Sequence, residues 1–406
     1  MYRHMSRVRE LMEKKAFVSA VVACIATWSG PYVLSAEFVR LGEFTDGVFA
    51  SGATAISANG TFVAAFRTPP DDDMMSPYLW SKTDERVFLG EPPGRFTLAN
   101  GVTDDGQLVV GTHRIELTDL YEQAFIWKPS TGMVPLSGLP GSATGTRAND
   151  ITPDGSFIVG TSNVGVSGSF ASEAFRISSS GELTGLGDLP GGERLSKAIA
   201  VSADGAVVTG TGSTDSGANA FIWTQDQGMV GLLDDSATFW QSFAENISAD
   251  GKVIVGYGSV VGDSNLRAFR WTAEEGIVSL GSLPGFEMSS VAAAASGDGQ
   301  IVVGGISGSG RDETAFVWDA LHGMRSLQSL LIEEFGLGQA LSGWTLEGAT
   351  DISANGLTIV GHGENPDGEL EAYLVRLDRP LTAPEPSSLA LLHGATLLAA
   401  LGRRRR

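Results

Sequence analysis

Ile151-Thr152-Pro153-Asp154-Gly155-Ser156-Phe157-Ile158-Val159-Gly160 is one copy of a cassette that occurs seven times between positions 56 and 356. Each copy has a β-branched or small residue, Ser or Thr, a spacer, Asp or Asn, and Gly, followed by an apolar run that usually ends in Val-Gly. The copies read ISANG, VTDDG, ITPDG, VSADG, ISADG, ASGDG and ISANG, with glycines at Gly60, Gly106, Gly155, Gly205, Gly251, Gly299 and Gly356. Differences between successive glycine numbers are 46, 49, 50, 46, 48 and 57 residues. A period of this size belongs to propellers or solenoids, so length alone is a poor guide to domain count.

Around the quoted copy, the stretch from Arg147 to Leu186 reads as four short apolar segments. Ala148 to Thr152 and Phe157 to Gly160 flank Asp154-Gly155, a pair that tolerates the positive φ of a tight hairpin turn. Glu173 to Ile177 follows a polar loop, and Leu183 to Leu186 follows a turn at Gly181. Four strands per repeat make a propeller blade.

The two ends of the array are complementary. Phe38-Val-Arg-Leu-Gly-Glu-Phe44 matches a fourth strand without three predecessors, and Ala372-Tyr-Leu-Val375 matches a third strand without a successor. The expected fold is therefore an all-β, seven-bladed β-propeller, four strands per blade, closed by the N-terminal strand joining the last blade. Closure would remove exposed strand edges. An open β-solenoid is the rival architecture.

Aromatic residues recur in the third strand: Tyr78, Phe125, Phe175, Phe221, Phe269, Phe316 and Tyr373, often followed two residues later by tryptophan. Recurrence once per repeat points to an inter-sheet packing layer ahead of a sugar-stacking ladder. The repeated Ser-x-Asp-Gly is read as turn chemistry ahead of calcium ligation.

Residues 1–36 carry Arg3, Arg7, Arg9, Lys14 and Lys15, an apolar stretch over 16–25, and Leu34-Ser35-Ala36. That order is a secretory signal peptide, with cleavage expected after Ala36. The propeller is expected over 37–380, a linker over 381–388 and a sorting tail over 389–406. Pro384-Glu385-Pro386, an apolar run over 389–401 and Arg403, Arg404, Arg405 and Arg406 resemble a PEP-CTERM sorting signal. The resemblance implies export in a Gram-negative bacterium, with transient anchoring in the membrane through the tail. It further implies processing by the export machinery and an exosortase-type enzyme.

The chain's net charge is −20; without residues 1–36 (five basic, two acidic) and the terminal arginines, 18 basic and 45 acidic side chains remain, a balance of −27. Such a domain lacks the basic footprint that nucleic acid requires. The single cysteine, Cys24, falls in the signal segment, so no disulfide is expected in the mature chain. His113, His322 and His362 show no zinc spacing, and no nucleophile elbow, phosphate loop or dinucleotide fingerprint occurs in its required context. No catalytic residue, metal site or cofactor is expected.

The repeat as a whole resembles the HAF family of extracellular bacterial repeats over roughly residues 38–377. The likeness is carried by Ala124-Phe125-Ile126-Trp127 with Gly132-Met133, Ala220-Phe221-Ile222-Trp223 with Gly228-Met229, and Ala315-Phe316-Val317-Trp318 with Gly323-Met324. The family's histidine is replaced by Gln123, Glu173, Asn219, Arg267, Thr314 or Glu371.

Loops that vary between repeats are the expected binding face. Asp71, Asp72 and Asp73 could hold Ca²⁺ through carboxylate oxygens, with a solvated loop as the competing reading. Trp240 and Trp344, outside the third-strand register, are candidates for stacking on a ligand, or for capping the barrel end. A short amphipathic helix is expected after Leu327. These features point to a non-catalytic, exported propeller that binds glycan or envelope protein. A glycoside hydrolase or polysaccharide lyase using loop carboxylates, and a purely structural matrix protein, are the alternatives.

Overall fold

A computed structural model describes residues 35–381 except 45–49, 70–73, 91–95, 115–121, 143–144, 166–170, 234–237, 285, 287 and 308–312. Residues 1–34 of the expected signal segment, the sorting motif and Asp71, Asp72 and Asp73 lie outside the described residues. The described residues form 28 strands and one short helix. No described helix is long and apolar enough to cross a membrane.

The strands follow the repeat. Around the quoted cassette, β10 (Thr146–Ile151), β11 (Phe157–Asn163), β12 (Ser172–Ser178) and β13 (Leu183–Gly185) pair as an antiparallel meander. Equivalent four-strand groups are β2 to β5 (Ala50–Phe88), β6 to β9 (Phe96–Pro135), β14 to β17 (Ser196–Gly231), β18 to β21 (Phe239–Ser279) and β22 to β25 (Ser289–Ser326). The last group is β26 (Thr345–Ile352), β27 (Thr358–Glu364) and β28 (Leu370–Arg376), to which β1 (Glu37–Arg40) adds antiparallel, pairing Phe38 with Val375. Hydrogen-bonded sheet does not run continuously from group to group. Two single-pair links, Gly305 to Gly348 and Ala50 to Leu370, join three groups into one twelve-stranded sheet.

All seven cassettes fold as the same turn. In the fourth, Ser202 Oγ donates to Asp204 Oδ1 at 2.6 Å and accepts from Val207 N at 3.0 Å, while Ala206 N donates to Asp204 at 3.0 Å. The hydroxyls and carboxylates thus satisfy their own backbone. These bonds hold Asp105, Asp154 and Asp204 below the ordinary carboxylate range, the neighbouring hydroxyl being the main cause.

Successive turns are linked by backbone bonds. Ala203 N donates to Ala249 O, Asp250 N to Gly297 O, Gly297 N to Ala354 O, Ala354 N to Ala58 O, and Asp104 N to Pro153 O. Pro153 has no N–H to pass the series on towards Ala203. Gly60 has φ of 75°, and a Cβ there would lie 2.7 Å from Thr358 Oγ1 in the last group.

The third-strand aromatics Tyr78, Phe125, Phe175, Phe221, Phe269, Phe316 and Tyr373 are all fully buried, as a packing layer requires. The Val-Gly that ends the apolar run has a steric cause: a Cβ on Gly160 would collide with the Arg147 carbonyl oxygen of the adjacent strand. Helix α1 (Leu327–Glu333), capped by Ser326, buries Leu327, Leu330 and Leu331 against the last groups.

Candidate functional site

Every first strand contains a β-bulge at the same place, six residues before the cassette glycine. The register shifts fall between Ala53 and Ala55, Ala99 and Gly101, Ala148 and Asp150, Ala198 and Ala200, Ala244 and Asn246, Ala292 and Ala294, and Ala349 and Asp351. A bulge leaves one residue unpaired and re-aims its side chain. The seven residues so released are Thr54, Asn100, Asn149, Ile199, Glu245, Ala293 and Thr350, and all line one cavity of about 780 Å³.

Four of the seven tie their strand to the next. Thr54 Oγ1 donates to Ala99 O, Asn100 Nδ2 to Ala148 O at 2.8 Å, Asn149 Nδ2 to Ala198 O at 2.6 Å, and Thr350 Oγ1 to Ala53 O at 2.9 Å. Two carboxyls one residue further on do similar work. Asp150 accepts from Ile151 N at 2.7 Å and from Val201 N of the next group at 2.9 Å; Asp351 accepts from Ile352 N at 2.7 Å and Ile56 N at 2.8 Å.

Withdrawal from bulk water pushes Asp150 and Asp351 up to about 7, although the amide donors pull the other way. The same cause puts Glu245 at about 7. No hydrogen bond or ion pair holds the Glu245 carboxyl among the described residues. At the cavity's rim Glu122 is clamped between Arg114, at 2.8 Å, and Arg147.

The residues singled out from sequence lie elsewhere. Trp240 is 50% exposed at a second bulge in β18, between Phe239 and Gln241. Trp344, only 5% exposed, is a core residue: its ring meets Phe38 edge-on at 5.0 Å and lies under the Arg40 guanidinium at 5.7 Å. It has no free face for stacking. Gln123, Arg267 and Glu371, at one equivalent position near the start of the third strand, brace that strand against the segment entering or leaving the group. Gln123 Nε2 donates to Leu136 O at 2.8 Å, Arg267 to Met288 O at 2.8 Å, and Glu371 receives Arg40 at 2.7 Å.

Sequence reasoning missed two groupings. One is the bulge ring, whose signal is a variable residue six before each cassette glycine and directly after an alanine. The other is Glu313, Glu347 and His362, whose potential ligand atoms lie within 4.8 Å of one another in three separate stretches of chain. Burial lowers the His362 pKa, which favours the neutral imidazole.

No protein-family model matches the chain, and no curated protein does. Solved structures define the class: the chain is an all-β protein with propeller-like neighbours. The β-propeller domain of the Trilobed protease from Pyrococcus furiosus, described as having an open velcro topology, is similar over 83% of this chain and 100% of its own, with TM-score 0.54 and 14% identity. An oligogalacturonate lyase from Vibrio parahaemolyticus is similar over 84% of this chain and 97% of its own, with TM-score 0.52 and 12% identity. A TolB structure from Acinetobacter baumannii matches over 67% of this chain at TM-score 0.44 and 16% identity; the chain spans 62% of its length. At such identities the likeness concerns the fold alone.

Proposed function

We propose that the chain is a closed seven-bladed propeller, exported to the surface or extracellular matrix of a Gram-negative bacterium, that binds glycan or envelope protein without catalysis. Closure is supported by contacts that link the last group to the first in the way other neighbours are linked. Ala372 N donates to Ser51 Oγ at 3.0 Å as Ala220 N donates to Ser242 Oγ at 2.9 Å, and the Thr350 to Ala53 bond matches Asn149 to Ala198. Export rests on the two terminal segments and the PEP-CTERM-like order of Pro384-Glu385-Pro386 and four arginines. The resemblance to HAF repeats points to the same address.

The observation that carries the binding role is the cavity of about 780 Å³, within the usual range for small-ligand sites, walled by apolar side chains such as Ile151, Val201 and Ile247 interspersed with amide, hydroxyl and carboxyl groups. Glycan is the better match because such walls suit sugar hydroxyls. A glycan array with the full chain, repeated with N100A and N149A, is the test. Binding that weakens in either variant supports the reading; undiminished binding in both removes the cavity from it, and a blank array favours a structural matrix role.

A second reading, a glycoside hydrolase or polysaccharide lyase, draws on Glu313, Glu347 and His362, which bring two carboxylates and an imidazole together. Product analysis on any glycan that binds separates it from the first: turnover lost in E313Q or E347Q would establish catalysis.

A further inference from the structure

Glu313, Glu347 and His362 are brought together by a departure from the repeat. Strand β26 carries a bulge between Leu346 and Gly348, in addition to the one that every first strand shares. It releases Glu347 from pairing, one residue before the single-pair link that joins β26 to β23 (Ile301–Ser307), Gly305 to Gly348. Two glycines face each other at that crossing, so the backbones of two strand groups meet there. A Cβ on Gly348 would lie 2.8 Å from the ring of His362, its partner across β26 and β27. Glu313 stands immediately before β24 (Thr314–Asp319). The start of β26, the end of β27 and the start of β24 all lie on the side that carries the loops joining second to third strands.

The potential ligand atoms, two carboxylate oxygens and one imidazole nitrogen, lie within 4.8 Å of one another. Donors bound to one ion at about 2.0–2.2 Å stand roughly 3.0–3.5 Å apart, a closure within reach of glutamate side chains. Two carboxylates held this close repel, and a cation between them reverses the sign of the contact. His362 adds a lone pair without adding charge: its side chain makes no hydrogen bond among the described residues, and burial favours the neutral imidazole. An imidazole ligand argues against calcium and magnesium, which take oxygen, and for a first-row divalent ion. Three protein donors also leave one coordination position open, as in catalytic rather than closed structural zinc sites.

We propose that Glu313, Glu347 and His362 bind a divalent transition-metal ion, zinc being the best match, which fastens the β22 to β25 group to the last group and presents an open coordination position on the variable-loop side. The proposal is independent of the glycan-binding reading, since none of the three residues lines the cavity of about 780 Å³.

Titration calorimetry on the full chain, stripped of metal with a chelator, reads the binding of zinc, manganese and calcium chlorides in turn. Zinc should bind tightest and calcium weakest. E313Q, E347Q and H362Q should each weaken zinc binding by at least about tenfold, the lower end of what losing a group that merely supports a ligand costs. H322Q, in the turn after β24, should leave it unchanged, as should N100A and N149A in the cavity. Zinc should raise the melting temperature of the wild type and not that of E313Q. Glu313 lies outside the strands, so E313Q keeps the test decisive even where H362Q, inside β27, fails to fold.

Zinc binding that survives all three substitutions would place the ion elsewhere and overturn the assignment, and so would an absence of zinc binding. Calcium bound as tightly as zinc, lost in E313Q and E347Q but kept in H362Q, would replace it with an oxygen-only site.

Discussion

Thr350 donates a hydrogen bond of 2.9 Å to the carbonyl of Ala53, 297 residues away, in the same arrangement by which Asn149 reaches Ala198. Removing the hydroxyl with T350V strips Ala53 O of that donor at little change in volume. The expected cost is about 1 kcal/mol, matched by T54V at the equivalent bond to Ala99. Denaturant unfolding of the two variants checks it; a T350V protein as stable as the wild type would mean that this contact does not form.

Strand β1 is held by four backbone pairs and by Phe38, whose ring stacks on Tyr373 at 5.9 Å and meets Trp344 at 5.0 Å. F38A should destabilise by roughly 3 kcal/mol, in the range for emptying a packed aromatic position. Tryptophan fluorescence should report the loosening, because water gains access to Trp344.

Two sets of carboxyls set opposite trends with pH. Asp150, Asp351 and Glu245, raised to about 7, favour the protonated folded state. Their contribution is complete below the unfolded values near 4 and is lost as pH rises through about 7. Asp105, Asp154 and Asp204, held low by their turn hydroxyls, contribute above the unfolded value and lose it as pH falls below about 4. The melting temperature should therefore peak at about pH 4 and decline as pH rises to about 7. E245Q, which cannot titrate, should flatten that decline; a profile still rising from pH 5 to 8 would contradict the assignment.

The cassette turn is sensitive to backbone as well as side chain. G60A places a Cβ where φ is 75° and against Thr358, so it should cost more than S202A, which removes one hydroxyl from an equivalent turn. Expected losses are about 1–2 kcal/mol for S202A and more for G60A. Thermal unfolding of both variants decides the order.

Much of the fold was legible because each cassette is a local device. Ser-x-Asp-Gly closes its own turn with bonds between residues two to five apart, so the hairpins and the strand edges from Thr146 to Gly185 follow from sequence. The buried third-strand aromatics and helix α1 are also local or periodic. The cavity was harder to see, since its seven residues share a position but no chemistry: Thr, Asn, Asn, Ile, Glu, Ala and Thr become a set only when a bulge releases each of them. Trp344 lies outside the third-strand register, which left stacking on a ligand and capping the barrel end both open; the partner that covers its ring, Phe38, lies some 300 residues earlier in the chain. Glu313, Glu347 and His362 converge across two strand groups and carry no spacing signature.

The cavity exists only if the last strand group meets the first, and one amide reports that meeting. Ile56 N donates to Asp351 Oδ2 at 2.8 Å, as Val201 N donates to Asp150 Oδ2 at 2.9 Å. Site-resolved hydrogen exchange should find Ile56 protected to the same degree as Val201, with that protection lost specifically in D351A. Exchange at Ile56 as fast as in an unstructured segment, while Val201 stays protected, would contradict a closed ring.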